Sequence, residues 1–296
     1  MIAVLAAVWL LASPQAGPVA DPAVTAAMRL PFLEAEAEME RLAEAGSVGA
    51  RAIHDGYAAL RRRDFPAACR LWEAAAGLSA EAAHMTAECY EHGHAGTTDM
   101  DRAIDLYRSA GDGGYPKSLC ALGLIYVVGE AVPADPVRGA ELCRRGAEAG
   151  DPDAQTDLGD FYRRGSGVPR DYALARHWYE RAAARNQRNA AYNLGAMAWN
   201  GHGGPVDLAA AGAWMEKAYE AGRRDAPALA GRAALIRAVP NAPNGPVDVG
   251  LLALAKRWFL VAMEEDPDQT TRAEAAVTLA RISGYEAMAR QQAGDE

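Results

Sequence analysis

From residue 49 onward the chain is a series of stretches in which alanine and larger apolar residues recur every three or four positions, separated by short polar turns carrying glycine, proline and aspartate. A spacing near 3.6 predicts amphipathic helices, and no long run of valine, isoleucine and threonine predicts a strand. The helices keep a register. Gly93, Gly129, Gly165 and Gly201 are each 36 residues apart; so are Asp99, Asp135, Asp171 and Asp207, and so are Gly114, Gly150, Asn186 and Gly222. Three columns in phase over four copies define an internal repeat.

Each column has a physical role. The aspartate opens an amphipathic run, where its carboxylate can accept hydrogen bonds from the unpaired amides of a helix N-terminus. The glycine or asparagine that follows stands where a left-handed residue ends a helix, so residues 171–186 read as one capped helix. The earlier glycine column ends the preceding helix, and Pro133, Pro169 and Pro205 stiffen the turn between. Ala103, Gly139, Ala175 and Ala211 put a small residue on one face of the second helix, opposite Ala87, Gly123, Gly159 and Gly195 on the first. Two such helices can cross antiparallel at close range. One pair cannot bury its own apolar face, so the copies must stack.

With 296 residues, half of them hydrophobic, the chain can bury a sizeable core. Its net charge of −9 and the shortness of its arginine runs make nucleic acid an unexpected partner. The N-terminus, "MIAVLAAVWLLASPQAGPVADP", holds an apolar run too short to span a bilayer and stopped by Pro14. Residues 1–20 are therefore expected to be a signal peptide, with the mature chain starting between residues 17 and 21 and residing, soluble, in the periplasm or outside the cell. No membrane span is expected after its removal, and the first cysteine, Cys69, lies too far along to carry a lipid anchor.

The segments "LGLIYVVGEAVPADPVRGAELCRRGAEAG" and "LGDFYRRGSGVPRDYALARHWYERAAARN" resemble the Sel-one-like repeat, a relative of the tetratricopeptide repeat with a longer loop between its helices. The resemblance extends over 49–266 and implies an all-α, right-handed α-solenoid of about six stacked antiparallel helix pairs. Residues 21–48 are expected to supply a linker and an N-terminal capping helix, and 267–296 a C-terminal capping helix and tail. An insertion is expected around "VPNAPNGPVD", because Trp214 and Trp258 stand 44 residues apart instead of 36. The resemblance further implies a non-catalytic scaffold of the bacterial cell envelope that binds a protein or peptide in its concave groove. The alternative is an envelope enzyme, or a binder of a peptidoglycan or β-lactam-type ligand.

In tetratricopeptide-type superhelices the first helix of each pair lines the concave face. By that resemblance the groove residues are those three before, one after and five after the small crossing residue: His84, Glu88 and His92; Cys120, Leu124 and Val128; Thr156, Asp160 and Arg164; Tyr192, Ala196 and Asn200. Arg164 and Tyr192 are the expected hot spots, with Asn200 clamping backbone amides of the partner.

Candidate chemistry is sparse. The glycine-rich turn at 165–171 lacks the Gly-Lys-Ser/Thr end of a phosphate loop and follows a helix where a dinucleotide fingerprint needs a strand. None of the seven serines has a lysine three residues on, and neither Gly-x-Ser-x-Gly nor His-Glu-x-x-His occurs. No catalytic residue and no cofactor is expected. His84, Glu88 and His92 share a helical face, but two turns span about 12 Å, too far for one metal ion to touch all three. Cys69 falls on the second helix of one unit and Cys89 on the first helix of the next, so a disulfide between them is expected; Cys120 and Cys143 fall on the two helices of one unit. Buried free thiols are the alternative for all four.

Overall fold

The computed structural model describes residues 17–28, 32–94, 96–241 and 245–294. Among them are fifteen α-helices and no strand; an isolated β-bridge joins Val19 to Ser79. The fold is an α-solenoid of consecutive helix pairs, and it divides into two compact units between Ala149 and Gly150.

The first unit holds α1 (Pro22–Ala27), α2 (Phe32–Glu44), α3 (Val48–Arg61), α4 (Phe65–Ala75), α5 (Ala80–Glu91), α6 (Met100–Asp112), α7 (Pro116–Val128) and α8 (Pro136–Glu148). The second holds α9 (Pro152–Arg164), α10 (Tyr172–Ala183), α11 (Arg188–Asn200), α12 (Leu208–Glu220), α13 (Ala226–Ala238), α14 (Val249–Glu265) and α15 (Gln269–Gly294). Within each unit a helix packs chiefly on its neighbours in sequence.

The aspartate column caps helices in both units. Asp99, Asp135, Asp171 and Asp207 each accept the amide three residues on at 2.9 to 3.0 Å. Their own amides close the preceding loops, onto the carbonyls of Tyr90, Tyr126, Tyr162 and Ala198 respectively. The longer turn before α14 closes in the same way, with the Asp248 amide on the Ala238 carbonyl at 2.9 Å. Gly114, Gly150, Asn186 and Gly222 all have positive φ, Asn186 at 59°. The helix expected over 171–186 is shorter, however. α10 stops at Ala183, and Asn186 turns the chain after the helix has ended.

Residues 18–28, the last of the expected signal peptide and the first of the expected linker, are docked. Pro18 is buried, the Ala20 amide donates to the Gly113 carbonyl at 2.8 Å, and the Ala80 amide donates to the Val19 carbonyl at 3.3 Å. Gly113 is the residue that allows this approach, since a Cβ there would lie 1.9 Å from the Pro18 oxygen. Asp21 caps the short α1, and Val24 and Ala27 are buried with Ile53, Trp72 and Met85 in one cluster. The strap also satisfies Glu81, which is 0% exposed at the second position of α5. Its Oε1 accepts the Asp21 amide (3.0 Å) and the Thr25 hydroxyl (2.6 Å), and its Oε2 accepts the Ser79 hydroxyl (2.9 Å). Of the expected signal peptide, residues 1–16 lie outside the described residues.

All four cysteines are in disulfides, and both bridges fall in the first unit. Cys69–Cys89 ties α4 to α5, one pair to the next, and Cys120–Cys143 ties α7 to α8 within a pair. With partners 20 and 23 positions apart in sequence, each closes a loop whose restriction in the unfolded chain is worth about 3 kcal/mol.

Candidate partner-binding face

The first helix of each pair offers three candidate columns, separated by four residues and hence by about 40° around the helix axis. That rotation decides their fates. The column three before the crossing residue turns into the packing: His84 is 0% exposed, Cys120 3% and Thr156 5%. His84 therefore does not line a partner-binding face. Its ring sits between those of Tyr107 and Tyr115, with centroids at 5.3 and 5.0 Å, and its Nδ1 is hydrogen-bonded to Ser118 Oγ of α7 at 2.9 Å. Cys120 is in its disulfide, and the Thr156 hydroxyl donates to the Pro152 carbonyl within its own helix.

In the first unit the other two columns reach solvent. Glu88 is half-buried, with Oε1 3.2 Å from His84 Nε2 and 3.8 Å from Lys117 Nζ. Burial raises its pKa, but the His84 hydrogen bond and the charges of His84, Lys117 and His92 outweigh that and hold it at about 2. A carboxylate depressed in this way stabilises the fold above its ordinary value of 4.5, and the contribution is lost as pH falls from 4.5 towards 2. Glu88→Gln should therefore melt below the wild type at neutral pH, with the difference shrinking over that acid range; a pH-independent difference in thermal melts would show that the carboxylate charge is not responsible.

One turn further along, His92, Leu124 and Val128 come together with Glu91, Met100 and Glu130 around a cleft of about 430 Å³. Leu124 is 37% and Val128 61% exposed, so this is apolar surface left in water between two acidic side chains.

The second unit uses its corresponding residues differently. Asp160 accepts the Tyr179 hydroxyl and an Arg163 N–H, both at 2.7 Å, so it is engaged within its own pair. Burial, with the Asp160 carboxylate, pushes the Tyr179 phenol well above its ordinary range. Arg164 is largely exposed, 3.9 Å from Asp160 Oδ2. The Tyr192 ring is half-buried beneath the Arg223 guanidinium at 4.1 Å, so one of its faces is already covered by a cation of its own chain. Asn200 does not hold out its amide for a partner backbone. Its Nδ2 donates to the Ala196 carbonyl at 2.8 Å. Arg164 and Asn200 end α9 and α11, whereas Tyr192 lies eight residues before Asn200, about 12 Å along the helix. They do not form a single cluster of hot spots.

Two residues of the same face were not among the candidates. Gly231 stands 36 residues after Gly195, so the positions one and five further on are Arg232 and Ile236. Both line a second cleft, of about 580 Å³, with Trp199, Phe259, Val277 and Arg281. The signal was present in the glycine column. The tryptophan spacing hid it, because the extra residues fall after Gly231 and leave the register intact up to that point. Among the described residues no cluster of three His, Cys, Asp or Glu side chains could hold a metal ion.

Residues 80–115, 116–151, 152–187 and 188–222 each match the model of the Sel1 repeat. No curated protein matches the chain. Among solved structures it is similar to a Sel1 repeat protein from Oxalobacter formigenes, at 22% identity over 77% of this chain and 99% of that one, with a TM-score of 0.59. It is also similar to c5321, a protective antigen of uropathogenic Escherichia coli strains displaying an SLR fold. The identity is again 22%, over 84% of this chain and 53% of that one, with a TM-score of 0.57. The chain thus spans about half the length of the antigen.

Proposed function

Because this chain is a Sel1-repeat protein, of a class that generally acts as protein-interaction scaffolds and is typically non-catalytic, we propose that it is an exported scaffold of the bacterial cell envelope. On this reading it holds a peptide segment of a partner protein against the α5–α7 face. The observation that carries the reading is the exposure of Leu124 and Val128 in a cleft: apolar side chains gathered in water and rimmed by charged groups mark a surface that a partner covers. Export is supported by the short apolar run ahead of Pro14 and by the two disulfides, which persist in oxidising compartments. Among the described residues no helix is long and apolar enough to cross a membrane.

A photo-crosslinking residue at position 128 should capture a specific partner in intact cells, and one at the equally exposed Val137 on α8 should not. Leu124→Asp with Val128→Asp is expected to reduce capture at least about tenfold, with a melting temperature close to wild type because both positions are already hydrated. Equal capture from positions 128 and 137, or full capture by the folded double variant, would place the partner elsewhere.

A further inference from the structure

We propose that the groove between α13 and α15 is a second docking site, selective for a partner segment that presents apolar side chains next to an acidic one. The proposal rests on the scaffold reading but concerns the second unit alone. The groove is open, about 580 Å³ in volume, which is within the range of ligand-binding clefts. Its floor is Trp199 and the buried Phe259, and its walls are Ile236, 47% exposed, and Val277, 65% exposed.

The rim decides the chemistry. Glu274 is neutralised by Arg232, with Nη2 2.6 Å from Oε2. Arg281, also on the rim, is exposed and makes no ion pair with any described residue. One uncompensated cation therefore stands beside apolar surface in a chain whose net charge is −9. An acidic partner side chain would gain Arg281 without breaking an existing pair. A basic one would meet Arg281 as a like charge and would have to take Glu274 from Arg232. The first-unit cleft, with Glu91 and Glu130 among its lining residues, has the opposite preference.

A random peptide display library selected on the full chain tests this. The expected result is enrichment of mutually competing peptides that carry Asp or Glu beside Leu, Ile or Phe. Their binding should be abolished by Val277→Asp, weakened about tenfold by Arg281→Glu, and unchanged by Leu124→Asp with Val128→Asp, all variants being checked for wild-type melting. Failure to enrich any peptide, enrichment of basic peptides, or indifference to both Val277→Asp and Arg281→Glu would overturn the proposal. Peptides that depend on Leu124 and Val128 instead would leave the scaffold reading standing and remove this site.

Discussion

Gly123→Ala is expected to cost about 3 kcal/mol or more of unfolding free energy, measured by denaturant titration, although it adds a single methyl group. The added Cβ would lie 2.5 Å from the Gly139 carbonyl oxygen, and a Cβ on Gly139 would lie 2.5 Å from the Gly123 oxygen. Backbone meets backbone here, so no side chain can move aside. The helices cannot readily separate either, because Cys120 and Cys143 bind them with Cα atoms 3.9 Å apart. The same substitution two copies later is expected to be mild, within about 1 kcal/mol. At Gly195 the new methyl meets chiefly the Met215 side chain, Cε at 2.8 Å and Cγ at 3.2 Å, which is flexible and can adjust, and it meets backbone only at the Ala211 oxygen, 3.3 Å away instead of 2.5 Å. Equal costs at the two glycines would mean that the close approach of α7 and α8 is not what the column protects.

Glu81→Ala should be the second large effect, about 3 kcal/mol, since it removes the shared acceptor of the Asp21 amide and the Thr25 and Ser79 hydroxyls in one step. The loss should also be local before it is global. Residues 18–28 are held to α5 and α6 by these bonds and two backbone bonds, so limited proteolysis should cut the variant within that strap while the rest of the chain stays folded. Glu81→Gln keeps one carbonyl acceptor and should lose less. A strap in Glu81→Ala that resists protease as well as the wild type does would show that the backbone bonds and the burial of Val24 and Ala27 hold it without Glu81.

What the sequence made legible is what lies within one repeat. The Asp99, Asp135, Asp171 and Asp207 caps, the positive-φ glycines and the small crossing residues are local consequences of helix ends and helix contact, and they recur because the unit recurs. What it hid depends on partners distant in sequence. His84 has the spacing of a groove residue, and only its contacts with Tyr107 and Tyr115, more than 20 positions along the chain, show that its ring is turned into the packing. Arg232 and Ile236 were in register but masked by the 44-residue spacing of Trp214 and Trp258. The strap carries a helix-start signature in Asp21 and Pro22, but its partner Glu81 is 60 residues away, and no period connects them.

The distribution of the disulfides has a mechanical consequence. Under tension applied at its ends, a chain lengthens by the contour of whatever unravels, at about 3.3 to 3.6 Å per residue. The stretches 69–89 and 120–143 are clamped by covalent bonds and cannot contribute. Roughly 70 Å and 80 Å of length are thereby withheld from the first unit until a reductant arrives, while the second unit, which contains no cysteine, can yield all of its length. The protein is thus extensible from residue 150 onward and partly inextensible before it.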